Sequence, residues 1–426
     1  MTGSITRTAP RRVVIVDAYS TGRLLTHELA GRGAHLIHVQ SSPRIPEFYR
    51  RTFDPDGFAL DLGHDPSFAA LVRTLKELEI DAIAPGTETG VRSAEQLAVA
   101  LGLAHNSQTA PESRWDKEAM AAALRDAGLG APDGLRVGSE AQAVEWYRAG
   151  GGGRVVVKPA MSAGSDGVRL CHDERSVAEA VGAVLSSESN LLGRTNAEAV
   201  VQELLTGPEY YVNTISADGR HQILEAWRYH KKRVAGSPIY DYDVPVDLSS
   251  DIGRTLCDYV RRALTALGVH HGPAHAEVII TREGPKLIDI GARPAGCADF
   301  PAGIAPDRVG QVEATASWLM DPASVHDLSI PSAPCTGIEL RRVAMINGRR
   351  APMTSLAWVD VLRELPTAAM VCPRAAQGDL LEATRDLATS PGFLYLAGTG
   401  DEVERDYRRL RALEGRHLYT EQQTAG

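Results

Sequence analysis

The sequence predicts a multidomain chain of α/β and α+β units, headed by a doubly wound parallel sheet. Strand-like and helix-like segments alternate through roughly the first hundred residues, the pattern of parallel strands joined by crossover helices. A later stretch holds several alternating or apolar strand segments around one long helix, the pattern of an antiparallel sheet. The 426 residues exceed what one ordinary core encloses, and a chain of this length accommodates about two to four domains.

In order along the chain, Val13–Val16 is a short apolar, β-branched run followed by a loop at Ala18–Gly22, a helical stretch to Ala30 and a Gly-rich stop. Leu36–Val39 and Ile80–Ala84 read as further strands, with helical spacing at Phe68–Leu78 and Ser93–Leu101. Ligands of such a sheet sit beyond the carboxyl ends of its strands. Residues 1–112 form this first expected domain. Residues 113–200 read as a small lid, with helices at Asp116–Gly128 and Ser176–Leu185 and strands at Val155–Lys158 and Val200–Leu204. Residues 201–325 hold Tyr210–Ile215, Gln222–Trp227, Ala276–Ile280 and Lys286–Ile290, with a helix at Asp251–Leu267. A Pro-rich stretch near 322–334 marks a boundary, and 326–426 reads as a C-terminal α+β domain.

Net charge is −9, which argues against a generally basic nucleic-acid binder. The five cysteines are scattered without a C-x-x-C pair, as expected for free thiols in a reducing cytosol. Met1–Arg12 lacks the apolar stretch of a signal peptide, and no apolar run approaches a membrane span. A soluble, cytoplasmic protein is the expectation, without nucleic-acid or membrane partners; symmetric dimers are common at this size.

Four segments carry chemistry. Val155-Val-Val-Lys158-Pro159 is an apolar strand ending on a lysine, followed by small residues including Ser162, Gly164, Ser165 and Gly167. Such a loop brings backbone N–H groups to phosphate oxygens beside a positive charge, although the segment alone is equally a surface hairpin. Lys117 is a second lysine at the start of a helix. Val200-Val-Gln202-Glu203-Leu204-Leu205 breaks at Gly207-Pro208 and resumes at Glu209; it is either a plain hairpin or a hinge that pairs with an adenine edge, with Glu209 on ribose hydroxyls. Ala274-His275-Ala-Glu277 and Leu287-Ile-Asp289-Ile-Gly291-Ala-Arg293 carry one acid on each of two adjacent strands. Glu277 and Asp289 can share a hard cation such as Mg²⁺, and Arg293 can bind an oxyanion through two N–H groups.

These four features, in this order, resemble the ATP-grasp superfamily across about residues 13–320. The resemblance implies an N-terminal doubly wound domain, a lid and a central sheet domain, with ATP between the last two. It implies that Lys117 and Lys158 contact phosphates under the Ser162–Gly167 loop, that Gln202, Glu203 and Leu205 line adenine, that Glu209 meets ribose, and that Glu277 and Asp289 hold Mg²⁺. Many members carry Asn where this chain has Gly291.

Within the superfamily the chain is most similar to the L-amino acid ligases, on Gly272-Pro-Ala-His-Ala-Glu277, on Asp289 followed by Arg293-Pro-Ala-Gly296, and on Gly86-Thr-Glu88-Thr-Gly90. This implies an ATP-dependent ligase that forms an acylphosphate from one amino acid and passes it to the amine of another. Lys158 and Arg293 would be catalytic. Glu88 would meet the substrate ammonium, with Gly296 and Cys297 at the substrate pocket. Cys297 replaces a bulky aromatic of the bacilysin-type enzyme, so the pocket is expected to have a different shape. The polar segments Trp227–Arg233 and Ile239–Asp243 flank an expected substrate loop, which brings in His230, Tyr240 and Tyr242; His275 alternates with Glu277 and is expected to line the same pocket. A solvated basic turn remains the alternative for the loop, and a purine-pathway or carboxylase-type ligase or an inactive ATP-binding regulatory protein for the whole.

Overall fold

Val13, Val14, Ile15 and Val16 are fully inaccessible, which suits a β-branched run covered on both faces of a parallel sheet. The structure is a computed structural model and describes residues 10–164, 166–234, 237–296, 309–330 and 337–420. Strand Arg12–Val16 (β1) lies parallel to His35–Val39 (β2) and Ala82–Pro85 (β4), with the short Leu60–Asp61 (β3) beyond β2, in the order β3-β2-β1-β4. Helices Thr21–Gly31, Phe68–Glu77 and Val91–Leu101 cross between them. The two residues of β3 are too few to show an alternation in the sequence. At the carboxyl ends of β1 and β4, the loops reach across to residues 293–295: the Thr21 hydroxyl donates to the Ala295 carbonyl at 2.7 Å.

A second sheet is antiparallel. Gly134–Val137 (β5), Val155–Pro159 (β6), Arg169–Cys171 (β7) and Ala199–Glu203 (β8) run in the order β5-β8-β6-β7. Helices Glu140–Ala149 and Glu174–Leu185 pack on it and close a core of Val137, Ala143, Val157, Val177, Val181 and Val201. The second helix starts where Asp173 and Ser176 cap each other's backbone, a reciprocal arrangement that satisfies two otherwise unpaired N–H groups.

The third sheet has eight strands among the described residues. These are Glu209–Ala217 (β9), Arg220–Val234 (β10), Ser237–Pro245 (β11), Gly272–Thr281 (β12), Gly284–Gly291 (β13), Glu339–Ala344 (β14), Ala368–Pro373 (β16) and Gly392–Gly398 (β18), while Ala351–Pro352 (β15) and Leu380–Leu381 (β17) pair separately. The order is β13-β12-β9-β10-β11-β14-β18-β16. Helix Asp251–Ala266 buries Leu256, Val260, Ala263 and Leu264 against Val212, Ala276 and Val278 of this sheet. Helix Gln311–Met320 places Ala314, Trp318 and Leu319 in one core with Val13, Ile15, Leu25 and Leu29, so the first and third sheets share packing. The C-terminal strands extend the third sheet, joined to it by Tyr242↔Val343 and Asp243↔Arg342.

The expected substrate loop at 227–243 is a long hairpin instead. Trp227 pairs with Pro245 and Lys231 with Tyr240 across β10 and β11. Its polarity masked its alternation, because one face borders the cleft described below and the other meets helix Gly400–Glu414 through Tyr407 and Arg411.

Candidate active site

Lys158 lies at the end of β6, buried, with its ammonium 3.4 Å from the Ile288 carbonyl. Among the described residues no carboxylate pairs with it. Burial, then the nearby charge of Lys117, pushes the Lys158 ammonium down to about 8. Lys117 opens helix Lys117–Asp126, whose N-cap Asp116 accepts from the Glu118 and Ala119 N–H groups. Lys117 is tied in two directions, to Asp289 Oδ2 at 2.9 Å and to the Ser162 carbonyl at 2.8 Å. Burial works against its charge, but Asp289 outweighs that and holds the ammonium above its usual range. In the following loop the Ser162 hydroxyl donates to Asp166 at 2.7 Å, and Asp166 also accepts from the Leu191 N–H at 2.8 Å. The loop is thereby anchored to the 186–198 segment of the second sheet's unit.

The chain then passes from the second sheet to the third. A Cβ on Gly207 would lie 2.0 Å from the Ile280 carbonyl oxygen, so only glycine lets the hinge cross β12 this closely. Beyond it, Glu209 accepts from Lys231 Nζ at 2.7 and 2.8 Å, and that ammonium lies 4.6 Å above the Tyr240 ring. Burial keeps the Glu209 carboxyl above its ordinary range despite Lys231.

Glu277 of β12 and Asp289 of β13 are direct cross-strand partners, with a bulge immediately after Glu277. Opposed residues of a pair point to one face, so both carboxylates enter the same space. Tyr229 donates to Glu277 at 3.3 Å and His275 Nε2 stands 3.6 Å from it. Burial opposes ionisation, but His275, Lys231 and Lys117 outweigh it and hold the Glu277 carboxyl below its usual range. No group of three or more His, Cys, Asp or Glu side chains among the described residues is disposed around a metal. Two facing carboxylates nevertheless fit Mg²⁺, which takes one or two protein acids and completes its shell with water and substrate phosphates. Glu277 and Asp289 are the residues that would hold it.

Arg293 donates through Nε to Glu88 at 2.7 Å, with both side chains largely buried. Glu88, expected at a substrate ammonium, here stands behind Arg293, which engages its carboxylate. The same pair explains Gly291. A Cβ there would lie 2.7 Å from Glu88 Oε2 and 3.0 Å from the Arg293 guanidinium carbon, so the carboxylate occupies the room a side chain would need.

One cleft of about 1010 Å³ joins these groups. Lys117, Lys158, Ser162, Gly164, Gly167, Gln202, Glu203, Leu205, Glu209, Tyr240, His275, Glu277, Asp289, Arg293 and Gly296 all line it. Glu203 also accepts from Lys286 at 2.9 Å. Ser165 and Cys297 lie outside the described residues. His230 and Tyr242 do not line the cleft: alternation along β10 and an extra residue at Asp241 of β11 turn them to the opposite face, where their rings stack at 4.4 Å and Tyr242 packs on Tyr407. Sequence reasoning missed Phe48, Tyr49, Asn213, Tyr229, Lys231, Arg342 and Arg374 as wall residues. Tyr229 and Lys231 were detectable, since they alternate with His230; Phe48, Tyr49 and Arg374 carry no local signal.

Comparison with known proteins bears on what this cleft does. Residues 153–300 match the ATP-grasp domain family. Dapdiamide A synthase of Enterobacter agglomerans is 30% identical over 412 residues, covering 90% of each chain. An L-amino acid ligase from Bacillus licheniformis superposes with a TM-score of 0.74 at 17% identity, covering 95% of this chain and 98% of that one. An N5-carboxyaminoimidazole synthase from Aspergillus clavatus, in complex with ADP and 5-aminoimidazole ribonucleotide, superposes with a TM-score of 0.69 at 14% identity, covering 95% and 99%. At these identities the two structures establish a common fold, and the sequence relationship establishes kinship: the chain belongs to the ATP-grasp ligase family that includes dapdiamide A synthase.

Proposed function

We propose that the protein joins the carboxyl group of one amino acid to the amine of a second, giving an α- or γ-linked dipeptide, ADP and phosphate. The observation that carries this reading is the meeting in one cleft of Lys117, Lys158, the Glu277/Asp289 pair and Arg293. The relationship to a dapdiamide A synthase supports amide formation. A carboxylate is a poor electrophile; transfer of the γ-phosphoryl of ATP to one of its oxygens gives an acylphosphate, and attack by an amine on the acyl carbon expels phosphate. Lys158 and Lys117 neutralise the phosphoryl oxygens, and Mg²⁺ held by Glu277 and Asp289 supplies further charge neutralisation when bound. Arg293, held in place by Glu88, donates to the acyl oxygen as negative charge develops there. The Ser162–Gly167 loop covers the phosphates and keeps water from the acylphosphate.

The test is ADP release from pairs of amino acids, unusual ones included, with mass spectrometry of the products. Amino-acid-dependent ADP release with a product heavier than either substrate is expected. Silence with every pair would sink the reading, and ADP release that depends on 5-aminoimidazole ribonucleotide instead would point to the purine-pathway alternative.

A further inference from the structure

The cations of the cleft wall are not equally occupied. Lys117 meets Asp289, Lys231 meets Glu209, Arg293 meets Glu88, and Arg342 meets Asp243 at 2.5 Å. Among the described residues, two buried or half-buried cations on the wall have no carboxylate: Lys158, already placed at the phosphates, and Arg374. Arg374 follows β16 and is rigidly held. Its backbone N–H donates to the Pro391 carbonyl at 2.8 Å, its Nη1 donates to the Leu387 carbonyl at 2.6 Å, and its guanidinium lies 4.8 Å above the Phe48 ring. Stacking and one hydrogen bond fix the plane of the guanidinium while leaving further N–H donors without an acceptor among the described residues. Beside Phe48, the buried Tyr49 also lines the cleft, and its hydroxyl has no hydrogen-bond partner among the described residues. Burial pushes that phenol up to about 12, with the charge of Arg293 opposing it, so it remains a donor.

We propose that Arg374 and Tyr49 form a subsite for the carboxylate of the amine-donating substrate. A pre-stacked guanidinium with free N–H groups next to an unpartnered phenol is a donor set for a planar anion, and among the described residues no carboxylate pairs with that guanidinium. With that carboxylate held against the C-terminal wall, the amine points back toward Arg293 and the acyl carbon. Arg293 is thereby left to the carboxyl under activation, and the two substrates are sorted by two arginines from distant parts of the chain. This assignment rests on the ligase reading and deepens it.

The experiment is steady-state ADP release by the full chain with the amine substrate in two forms, the free amino acid and its carboxamide. The wild-type protein is expected to prefer the acid. Loss of a charge-assisted hydrogen bond of this kind raises KM by roughly ten- to a hundredfold, so Arg374→Gln should raise KM for the acid by that factor, leave the carboxamide and kcat little changed, and leave the KM of the acyl substrate unaltered. Arg374→Lys should recover part of the loss, and Tyr49→Phe should produce a smaller change in the same direction. An equal fall for acid and carboxamide, or a change confined to the acyl substrate, overturns the subsite. Wild-type turnover without any preference for the acid overturns it alone, whereas wild-type silence with every pair overturns the ligase reading and the subsite together.

Discussion

At the lid end of the cleft, Lys158, Gln202, Glu277 and Asp289 lie on neighbouring strands, each within a short run whose pattern announces a strand. At the other end the wall is assembled from Tyr49, Arg293 with Glu88 behind it, and Arg374, which approach from separate segments and meet only in space. In the proposed reaction the first end would handle groups common to ATP-driven reactions, and the second what distinguishes one substrate from another. A site built from successive strands keeps its chemistry when loops change. A site built from distant segments depends on pairs, so removing one member leaves the other stranded.

That contrast is sharpened most by Arg293→Met. It removes the donor to the acyl oxygen and leaves Glu88 buried without its partner. Turnover should fall by about 10²–10³, and stability by about 3–5 kcal/mol. The double variant Glu88→Gln/Arg293→Met should regain most of the stability, measured by denaturant unfolding, while turnover stays lost. Recovery of turnover in the double variant would break the assignment of Arg293.

Lys158→Met should behave oppositely on stability. The folded ammonium titrates near 8 and the unfolded one at its ordinary value of 10.5. Below about pH 8 the folded state bears the whole cost of holding the charge, and between those two values the unfolded chain binds more protons, so stability rises with pH. The substitution should therefore gain up to roughly 3 kcal/mol at pH 7, flatten the rise between pH 8 and 10.5, and abolish ADP release. An unfolding series at pH 7 and pH 10 decides it, and a loss of stability at pH 7 would contradict the strained lysine.

The smallest effect belongs to His230→Ala. Its ring stacks on Tyr242 away from the cleft, so turnover should stay within about twofold while stability falls by about 1 kcal/mol. A large kinetic effect with unchanged stability would return His230 to the substrate side.

These cases also mark what the sequence made legible. Val13–Val16 and the Val155–Lys158 strand announce themselves because burial demands a continuous apolar, β-branched run, and Glu277 opposite Asp289 follows from two strands joined by a short turn. The hairpin beyond Trp227 was hidden because both of its faces carry polar groups, one serving the cleft and one serving the C-terminal helix, so alternation of hydrophobicity vanishes. The extra residue at Asp241, which turns Tyr242 away from the cleft face that Tyr240 borders, leaves no signal in the sequence. Glu88 was found by its turn, but nothing in the chain near it reveals that Arg293 lies against it. Gly291 shows the same blindness: it looks like a missing ligand in sequence, and in space the ends of the Glu88 and Arg293 side chains fill the room beside it.

The C-terminal strands join the sheet that carries Glu277 and Asp289, yet the elements that reach the acceptor end, Arg374 and the 385–388 turn, hang from the far edge of it. Evolution or engineering can therefore rewrite that edge, by length or by charge, with five strands intervening before the acids that would hold the metal. On the proposed assignments, selectivity for the incoming amine and competence for phosphoryl transfer would be separately heritable traits of one continuous sheet.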